Sequence, residues 1–394
     1  MTPPTAAVLP EELLRTHRDV RWTEFSPDML PAGVAGTDMA TAPVVLEAIE
    51  RLVRDQDFGY PLRNGRPAGE ALAAAFSRRM ARLYGWQADA AAVVPVADLV
   101  QGVTATIMAF TAPGDSVAAH MPSYQPFRTA TAATGRRFVP MPLRANGDRY
   151  ELDLQQAREA FSSGVRLFIL CNPHNPTGRV FTRAELQALV ELAQEFDVVI
   201  VSDEIHSDLV LDGREHVPVA ALGPEAAART VTLTSATKSF NLPALRTAVM
   251  HFGSEALLRT FERHFPPRLL GQLSAMGIDA TIAAWDHGDP WLDAFRLHLG
   301  QMRDRLHDRL AAEAPLVGFT PIEGTFMAWL DFGRHLPEGG AGAFLQEQAK
   351  VGAYGGDIFG EDYSRHARLV FGTSRELLDA MIDRIVAALR RNAR

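Results

Sequence analysis

The sequence predicts an α/β fold: a mostly parallel seven-stranded sheet sandwiched by helices, with a smaller α+β domain built from both termini. Three observations carry this reading. Short, near-continuous apolar runs recur between Val93 and Phe252, segments of helical length separate several of them, and polar clusters stand directly after three of the runs. Strands that are apolar on both faces and bridged by helices are the mark of a largely parallel sheet covered on both sides.

In chain order, the expected strands are Val93–Val96, Val117–His120, Arg137–Met141, Val165–Leu170, Val198–Val201, Val231–Thr234 and Ala248–Phe252. Leu99–Phe110 and Arg183–Phe196 are expected helices among the connections. Asp289-Pro290-Trp291 starts a long helix, with the aspartate expected as N-cap and the proline in the first turn. Trp291, Phe295, Leu299, Met302, Leu306 and Leu310 follow every three or four residues and make one apolar stripe, with Arg303, Asp304, Arg305 and Asp308 largely off it. A strand over Phe326–Leu330, another around Arg368–Phe371 and a C-terminal helix from Arg375 complete the smaller domain, and the first forty residues are expected to pack on it. The alanine clusters Ala71–Ala75 and Ala90–Ala92 read as helix and loop. The expected division is a large domain over 41–288 and a small one from 1–40 plus 289–394.

Composition narrows the function. The 394 residues carry a net charge of −8 with dispersed Lys and Arg, so no basic stripe offers itself to nucleic acid. A single cysteine, Cys171, excludes a disulfide framework within the chain and suits a reducing cytoplasm, the expected location. Met1-Thr2-Pro3-Pro4-Thr5 lacks a basic region followed by an apolar core, so no secretory signal is expected. No run of about 18 apolar residues occurs, so no membrane span is expected. No metal-ligating pattern stands out either.

Ligands of parallel α/β sheets collect beyond the carboxyl ends of the strands. There the sequence places an amide, a carboxylate and an amine: Asn175 in Cys171–Gly178, Asp203 in Ser202-Asp203-Glu204-Ile205-His206, and Lys238 in Thr234–Asn241. That trio fits a pyridoxal 5′-phosphate site, in which the amine forms a Schiff base and the carboxylate pairs with the pyridinium nitrogen. Lys238 attacks a carbonyl only when unprotonated, and once freed by substrate it is the general base for the Cα proton. Asp203 keeps the ring an electron sink, and the Asn175 amide donates to the phenolic oxygen. A phosphate calls for helix N-terminal amides, hydroxyls and a cation. Ala97 and Asp98, opening the helix from Leu99, offer amides; the Asp98 side chain is expected to cap that helix, and Ser235 and Arg246 are the hydroxyl and the cation. Tyr124 stacks on the ring and is counted with Lys238 and Asp203 as catalytic. Taken singly, each residue has a plainer explanation: a solvated surface lysine, a turn built by Asn-Pro and Thr-Gly, a tyrosine in a core. Their shared placement after strands sets them apart.

Together these residues resemble the fold-type I pyridoxal phosphate enzymes, the aspartate aminotransferase superfamily, over nearly the whole chain. Within it the chain looks most like the MalY/PatB group of cystathionine β-lyase-like C–S lyases, on Phe58-Gly59-Tyr60, Cys171–Gly178, Ser202–His206, Lys238-Ser239-Phe240-Asn241, Pro290–Ala294 and Ala328–Asp331. His206 is the form common in that group where the superfamily usually has tyrosine. The resemblance implies that Tyr60 reaches the phosphate of a neighbouring subunit, hence a homodimer with shared sites, and that Arg368 clamps the carboxylate of an amino-acid substrate. It also exposes two departures. Where relatives commonly carry Trp-Val-Ala-(Asp/Glu)-Met-Asp, this chain has Gly33-Val34-Ala35-Gly36-Thr37-Asp38, so Gly36 and Asp38 belong to a smaller, less acidic substrate lip. Arg-Leu-Asn has become Arg368-Leu369-Val370. The activity implied is α,β-elimination of an L-cysteine conjugate such as cystathionine to thiol, pyruvate and ammonia. The alternatives are a class I/II aminotransferase, in which Arg246 is common, or a specialised pyridoxal phosphate enzyme of amino-acid-derived natural product biosynthesis. A regulator of this cofactor class would carry a basic helix-turn-helix, which is not seen.

Overall fold

Seven strands form the central sheet: β1 (Val93–Val96), β2 (Ser116–Met121), β3 (Arg137–Pro142), β4 (Val165–Cys171), β5 (Val199–Asp203), β6 (Thr230–Thr234) and β7 (Ala248–Phe252). Their order is β1-β7-β6-β5-β4-β2-β3 in the computed structural model of the protein, which describes residues 6–147, 149–336 and 338–392. The stretch Met1–Thr5, on which the expectation about a secretory signal rests, lies outside the described residues. Neighbours from β6 to β3 pair in parallel, while β7 runs antiparallel to both β6 and β1.

Side chains alternate across the sheet, and each face is covered by its own core. Leu167, Ile169 and Val201 join one apolar cluster with Val103 and Ile107 of helix α1 (Leu99–Phe110). Phe168, Leu170 and Ile200 join another with Leu186, Leu189 and Val190 of helix α2 (Arg183–Glu195). Both helices start on local signals. The Asp98 side chain accepts from the Gln101 amide, and Thr182 with Glu185 forms a reciprocal capping box.

Register is what builds the site. Asp203 at the end of β5 lies opposite Cys171 of β4 on one side and Leu233 of β6 on the other. The polar segments after β4, β5 and β6 therefore emerge at one level, on one edge of the sheet.

A second sheet of β8 (Gly318–Phe319), β9 (Met327–Asp331), β10 (Tyr354–Gly355) and β11 (His366–Val370) is ordered β8-β9-β11-β10 and is antiparallel throughout. Apolar residues of helix α3 (Asp289–Glu313) and helix α4 (Arg375–Asn392) share one core with those of this sheet. Trp291, Phe295, Leu299, Met302, Leu306 and Leu310 of α3 are all buried, and each contributes about 1.5–3 kcal/mol of transfer free energy. Asp289 is not the N-cap of this helix; Gly288 is, and Asp289 sits inside the first turn with its carboxylate on Arg79 and Arg82. The N-terminal residues do pack here: Leu30–Pro31 pairs in parallel with Val351–Gly352, and the Val370 amide donates to the Ala32 carbonyl at 2.8 Å. Ala71–Ala75 lies in the helix Ala68–Tyr84, and Ala90–Ala92 forms one 3₁₀ turn. No described helix is long and apolar enough to cross a membrane.

Candidate active site

The three strand ends enclose a cavity of about 420 Å³. Ala97, Asp98, Tyr124, Asn175, Asp203, His206, Lys238 and Arg246 line it, together with Ala35, Leu99, Val100, Ile205 and Thr237. Backbone bonds fix the depth of each segment. The Asn172 amide donates to the Asp203 carbonyl at 3.0 Å, and the Glu204 amide donates to Leu233 at 2.8 Å. After β6, Ser235 caps the short helix Ala236–Ser239, which turns Lys238 back over the sheet edge.

Burial pushes the Asp203 carboxyl up to about 7; the Glu204 charge adds to this, while Lys238 and the Ile205 amide, donating at 3.1 Å, oppose it. Such a carboxylate lacks a cation, and a protonated ring nitrogen is the kind of partner it lacks. Burial also lowers the Lys238 ammonium to about 8, with the Arg368 charge pushing the same way and Asp203 resisting. Its Nζ donates to the Ala35 carbonyl at 2.6 Å. An amine so placed is available in its neutral form near physiological pH. His206 is buried edge-on to Phe326 with ring centroids 5.7 Å apart, and burial drives it down to about 3, so it is a neutral imidazole. Its Nδ1 has no partner among the described residues.

Arg368 of β11, on the second sheet, lies behind the cavity lining and is bonded to Asn175 of that lining. Nη1 donates to Asn175 Oδ1 at 3.1 Å and Nη2 to the Gly33 carbonyl at 2.7 Å. The guanidinium lies 5.4 Å from the Tyr354 ring centre and 5.0 Å from that of Phe359. Burial lowers it to about 10, and its Nε is without a partner among the described residues. A buried cation held by an amide oxygen and a carbonyl, with no carboxylate of its own, is suited to accept one from a ligand.

The phosphate end is arranged differently from the expectation. Asp98 caps α1, as expected, through a 2.7 Å bond from the Gln101 amide. The Ala97 amide, expected to face a phosphate, instead donates to Gln101 Oε1 at 2.8 Å, which leaves Leu99 and Val100 as the cavity-lining amides at the helix start. Ser235 is likewise committed: its hydroxyl donates to the Thr247 carbonyl at 2.6 Å and accepts from the Thr237 amide at 3.0 Å. Thr237 is the hydroxyl residue that lines the cavity. Sequence reasoning missed it, although two hydroxyl residues in one turn before a lysine were a visible signal. Arg246 is at the cavity edge, largely exposed, with its guanidinium on the Asp98 carboxylate.

Five expected residues lie outside the cavity lining: Ser235 and Arg368, described above, and Asp38, Gly36 and Tyr60. Asp38 is buried beneath the lip, bound by Arg21 through two 2.9 Å bonds and by the Trp22 indole N–H at 2.9 Å. Both oxygens of this carboxylate are thus taken up by partners within the fold. Gly36 lies beside Arg21 and Asn241, while its neighbour Ala35 meets Lys238. Asn241 fixes this strip by donating to the Thr37 carbonyl at 2.9 Å and accepting the Thr37 amide at 3.2 Å. Tyr60 is 92% exposed and borders a larger cleft of about 850 Å³ lined mainly by apolar residues such as Leu62, Phe261 and Leu270. That cleft holds none of the amine, carboxylate and amide groups described above.

The residues present fit pyridoxal 5′-phosphate. An orphaned imidazole nitrogen, a buried carboxyl without a cation, a neutralisable lysine and helix-terminal amides converge on one cavity. Among the described residues, no cluster of His, Cys, Asp and Glu is suited to hold a metal ion.

Comparison with known proteins gives the same picture. The family described as "Aminotransferase class I and II" matches residues 32–385. A cystathionine beta-lyase of Corynebacterium glutamicum is 32% identical over 96% of this chain and 98% of its own length. The cystathionine beta-lyase PatB of Bacillus subtilis is 31% identical over 96% and 98%. A crystal structure of the pyridoxal phosphate-bound C–S lyase from Staphylococcus hominis superimposes with a TM-score of 0.90 at 27% identity, covering 99% of this chain and 98% of that one.

Proposed function

The chain belongs to the aminotransferase class I and II family, and on that premise we propose that it is a pyridoxal 5′-phosphate-dependent C–S β-lyase. Its reaction is α,β-elimination of an L-cysteine conjugate to a thiol, pyruvate and ammonia. The observation that carries the reading is one cavity that holds a lysine lowered to about 8 and a carboxyl raised to about 7, with a buried arginine that has no acidic partner bonded to Asn175 of its lining. The choice of elimination over other fates of the same carbanion follows the full-length relatives.

Pyridoxal 5′-phosphate, when bound, supplies an electron sink for the negative charge that develops at the substrate Cα. Lys238 would hold its aldehyde carbon, Asp203 its ring nitrogen, and the Leu99 and Val100 amides with Thr237 its phosphate; Tyr124 would lie on its face. Arg368 takes the substrate α-carboxylate in a fork, trading its bonds to Asn175 Oδ1 and the Gly33 carbonyl for charge-assisted ones. That fixes the Cα–H bond toward Lys238, whose neutral amine removes the proton. The Cβ–S bond then breaks and the thiolate departs. Asp203 meanwhile keeps a proton on the nitrogen it faces, its carboxylate held by the Ile205 amide.

The reading extends to a homodimer. The exposed strip Phe58, Tyr60, Leu62 and Leu269, with the apolar cleft beside it, is what a second copy would cover. It further assigns the cofactor to a unit over 41–288 and the arginine clamp to one from 1–40 and 289–394. A cytoplasmic location rests on a lone, buried cysteine.

The second reading is an aminotransferase, favoured by Arg246 at the cavity edge. One assay separates them. The purified protein is incubated with L-cystathionine, with and without 2-oxoglutarate. Pyruvate and ammonia released without the keto acid support elimination, and turnover that requires it overturns elimination in favour of transamination.

A further inference from the structure

Glu24 is an exposed residue whose backbone neighbours are closely tied to the fold. It closes the one-turn helix Val20–Thr23, whose Arg21 and Trp22 are both tied to Asp38. The next residue, Phe25, is wedged against Gly33 and Gly352 so closely that a Cβ at Gly352 would lie 2.5 Å from its ring. Phe25 also packs on Tyr354 at 6.2 Å between ring centroids. The Tyr354 hydroxyl sits between the two Glu24 oxygens, at 2.9 and 2.7 Å, and this phenol is the only partner those oxygens have among the described residues. At its other end the Tyr354 ring covers the Arg368 guanidinium. A carboxylate with no cation therefore stands one phenol ring beyond the clamp for the substrate α-carboxylate.

We infer that Glu24, presented by Tyr354, selects substrates whose side chain ends in a cation, an ammonium or guanidinium, over those ending in a carboxylate. Its remaining lone pairs face solvent, where an incoming N–H donor completes them. A carboxylate already oriented by the Tyr354 hydroxyl has less side-chain freedom to lose on pairing, the usual weakness of surface ion pairs. A distal carboxylate would meet like charge at the same point. This inference rests on the proposed function for Arg368 as the α-carboxylate clamp and for its choice of test compounds, L-cysteine conjugates.

The holoenzyme is assayed with three of them: S-(2-aminoethyl)-L-cysteine, S-ethyl-L-cysteine and S-carboxymethyl-L-cysteine. Pyruvate release gives kcat/KM, and titration of the cofactor absorbance gives Kd. The cationic compound is expected to exceed the anionic one by roughly fivefold or more in both. Glu24→Gln should erase that ratio and Glu24→Lys should invert it, each compared with its own value for the neutral compound. A ratio near one in the parent enzyme, or one unchanged in both variants, overturns the inference. Absence of pyruvate from all three overturns the lyase reading instead, and the Kd ratios then decide the charge preference alone; equal Kd values, or no spectral response to any of the three, overturn it too.

Discussion

Arg368 Nη1 donates to Asn175 Oδ1 at 3.1 Å, joining the antiparallel sheet near the C-terminus to the turn that follows β4 of the central sheet. The bond positions the arginine before any substrate arrives, so in the clamp role proposed for it little reorganisation would be needed when a carboxylate replaces the amide oxygen. Arg368→Lys keeps the charge and loses the fork. Its kcat/KM should fall by about two orders of magnitude, chiefly through KM, given what truncating a buried charged contact costs. Steady-state kinetics on a cysteine conjugate decide this; an unchanged KM would show that the α-carboxylate binds elsewhere.

Lys238→Ala removes both the covalent attachment point and the base. The yellow absorbance of the bound cofactor should vanish, and elimination should drop by about 10³-fold or more. An unaltered visible spectrum would place the attachment on another amine.

The cofactor-free protein should show a signature of the two shifted groups. Asp203 holds its proton up to about 7 when folded, whereas an unfolded aspartate releases it near 3.9. Between those values the folded chain binds more protons than the unfolded one, so stability falls as pH rises from about 4 to 7. Lys238 runs the other way. Its folded value is about 8 against roughly 10.4 unfolded, so stability rises as pH climbs through that window. Burial lowers His206, His120 and His251 to about 3, 4 and 4, and these work against Asp203 below about pH 6.5. The aspartate is therefore read by difference: stability of the parent minus that of Asp203→Asn, from denaturant unfolding across pH 4 to 10.5, should fall between about pH 4 and 7, and a difference that stays flat there would show that Asp203 does not hold its proton.

Much of this site was legible because parallel strands advertise themselves twice, by apolar continuity and by the polar residues that follow them. Asn175, Asp203 and Lys238 come together because the register sets Asp203 opposite both Cys171 and Leu233, and strand ends aligned in space were also aligned in motif. What the sequence did not disclose was set by contacts without a period. Ser235 and Thr237 both carry hydroxyls in the same turn, and only the cap bond from the Thr237 amide to Ser235 decides which one lines the cavity. Gly288 rather than Asp289 caps α3 because the aspartate is drawn to Arg79 and Arg82 of a distant helix. Asp38 was placed at the substrate lip by its neighbours in the chain, yet its partners, Arg21 and Trp22, lie 17 and 16 residues upstream.

That last reassignment leads to a separate test. Asp38 and Arg21 are both buried, joined by two 2.9 Å bonds, and burial opposes the charge that Arg21 restores to the carboxylate. Asp38→Ala would leave the Arg21 guanidinium buried without its acid, a change that costs about 3–5 kcal/mol. Above it sit Ala35, which receives the Lys238 amine, and Glu24, one turn beyond Arg21. The expected result is a Tm lowered by several degrees, with substrate KM changed far less than in Arg368→Lys. Replacing both members, Arg21→Met with Asp38→Leu, should recover part of the lost stability, because no unpaired charge then remains in the core. Thermal unfolding of the single and double variants, read beside KM, distinguishes the anchor from a substrate contact: a normal Tm with a large rise in KM would return Asp38 to the substrate lip.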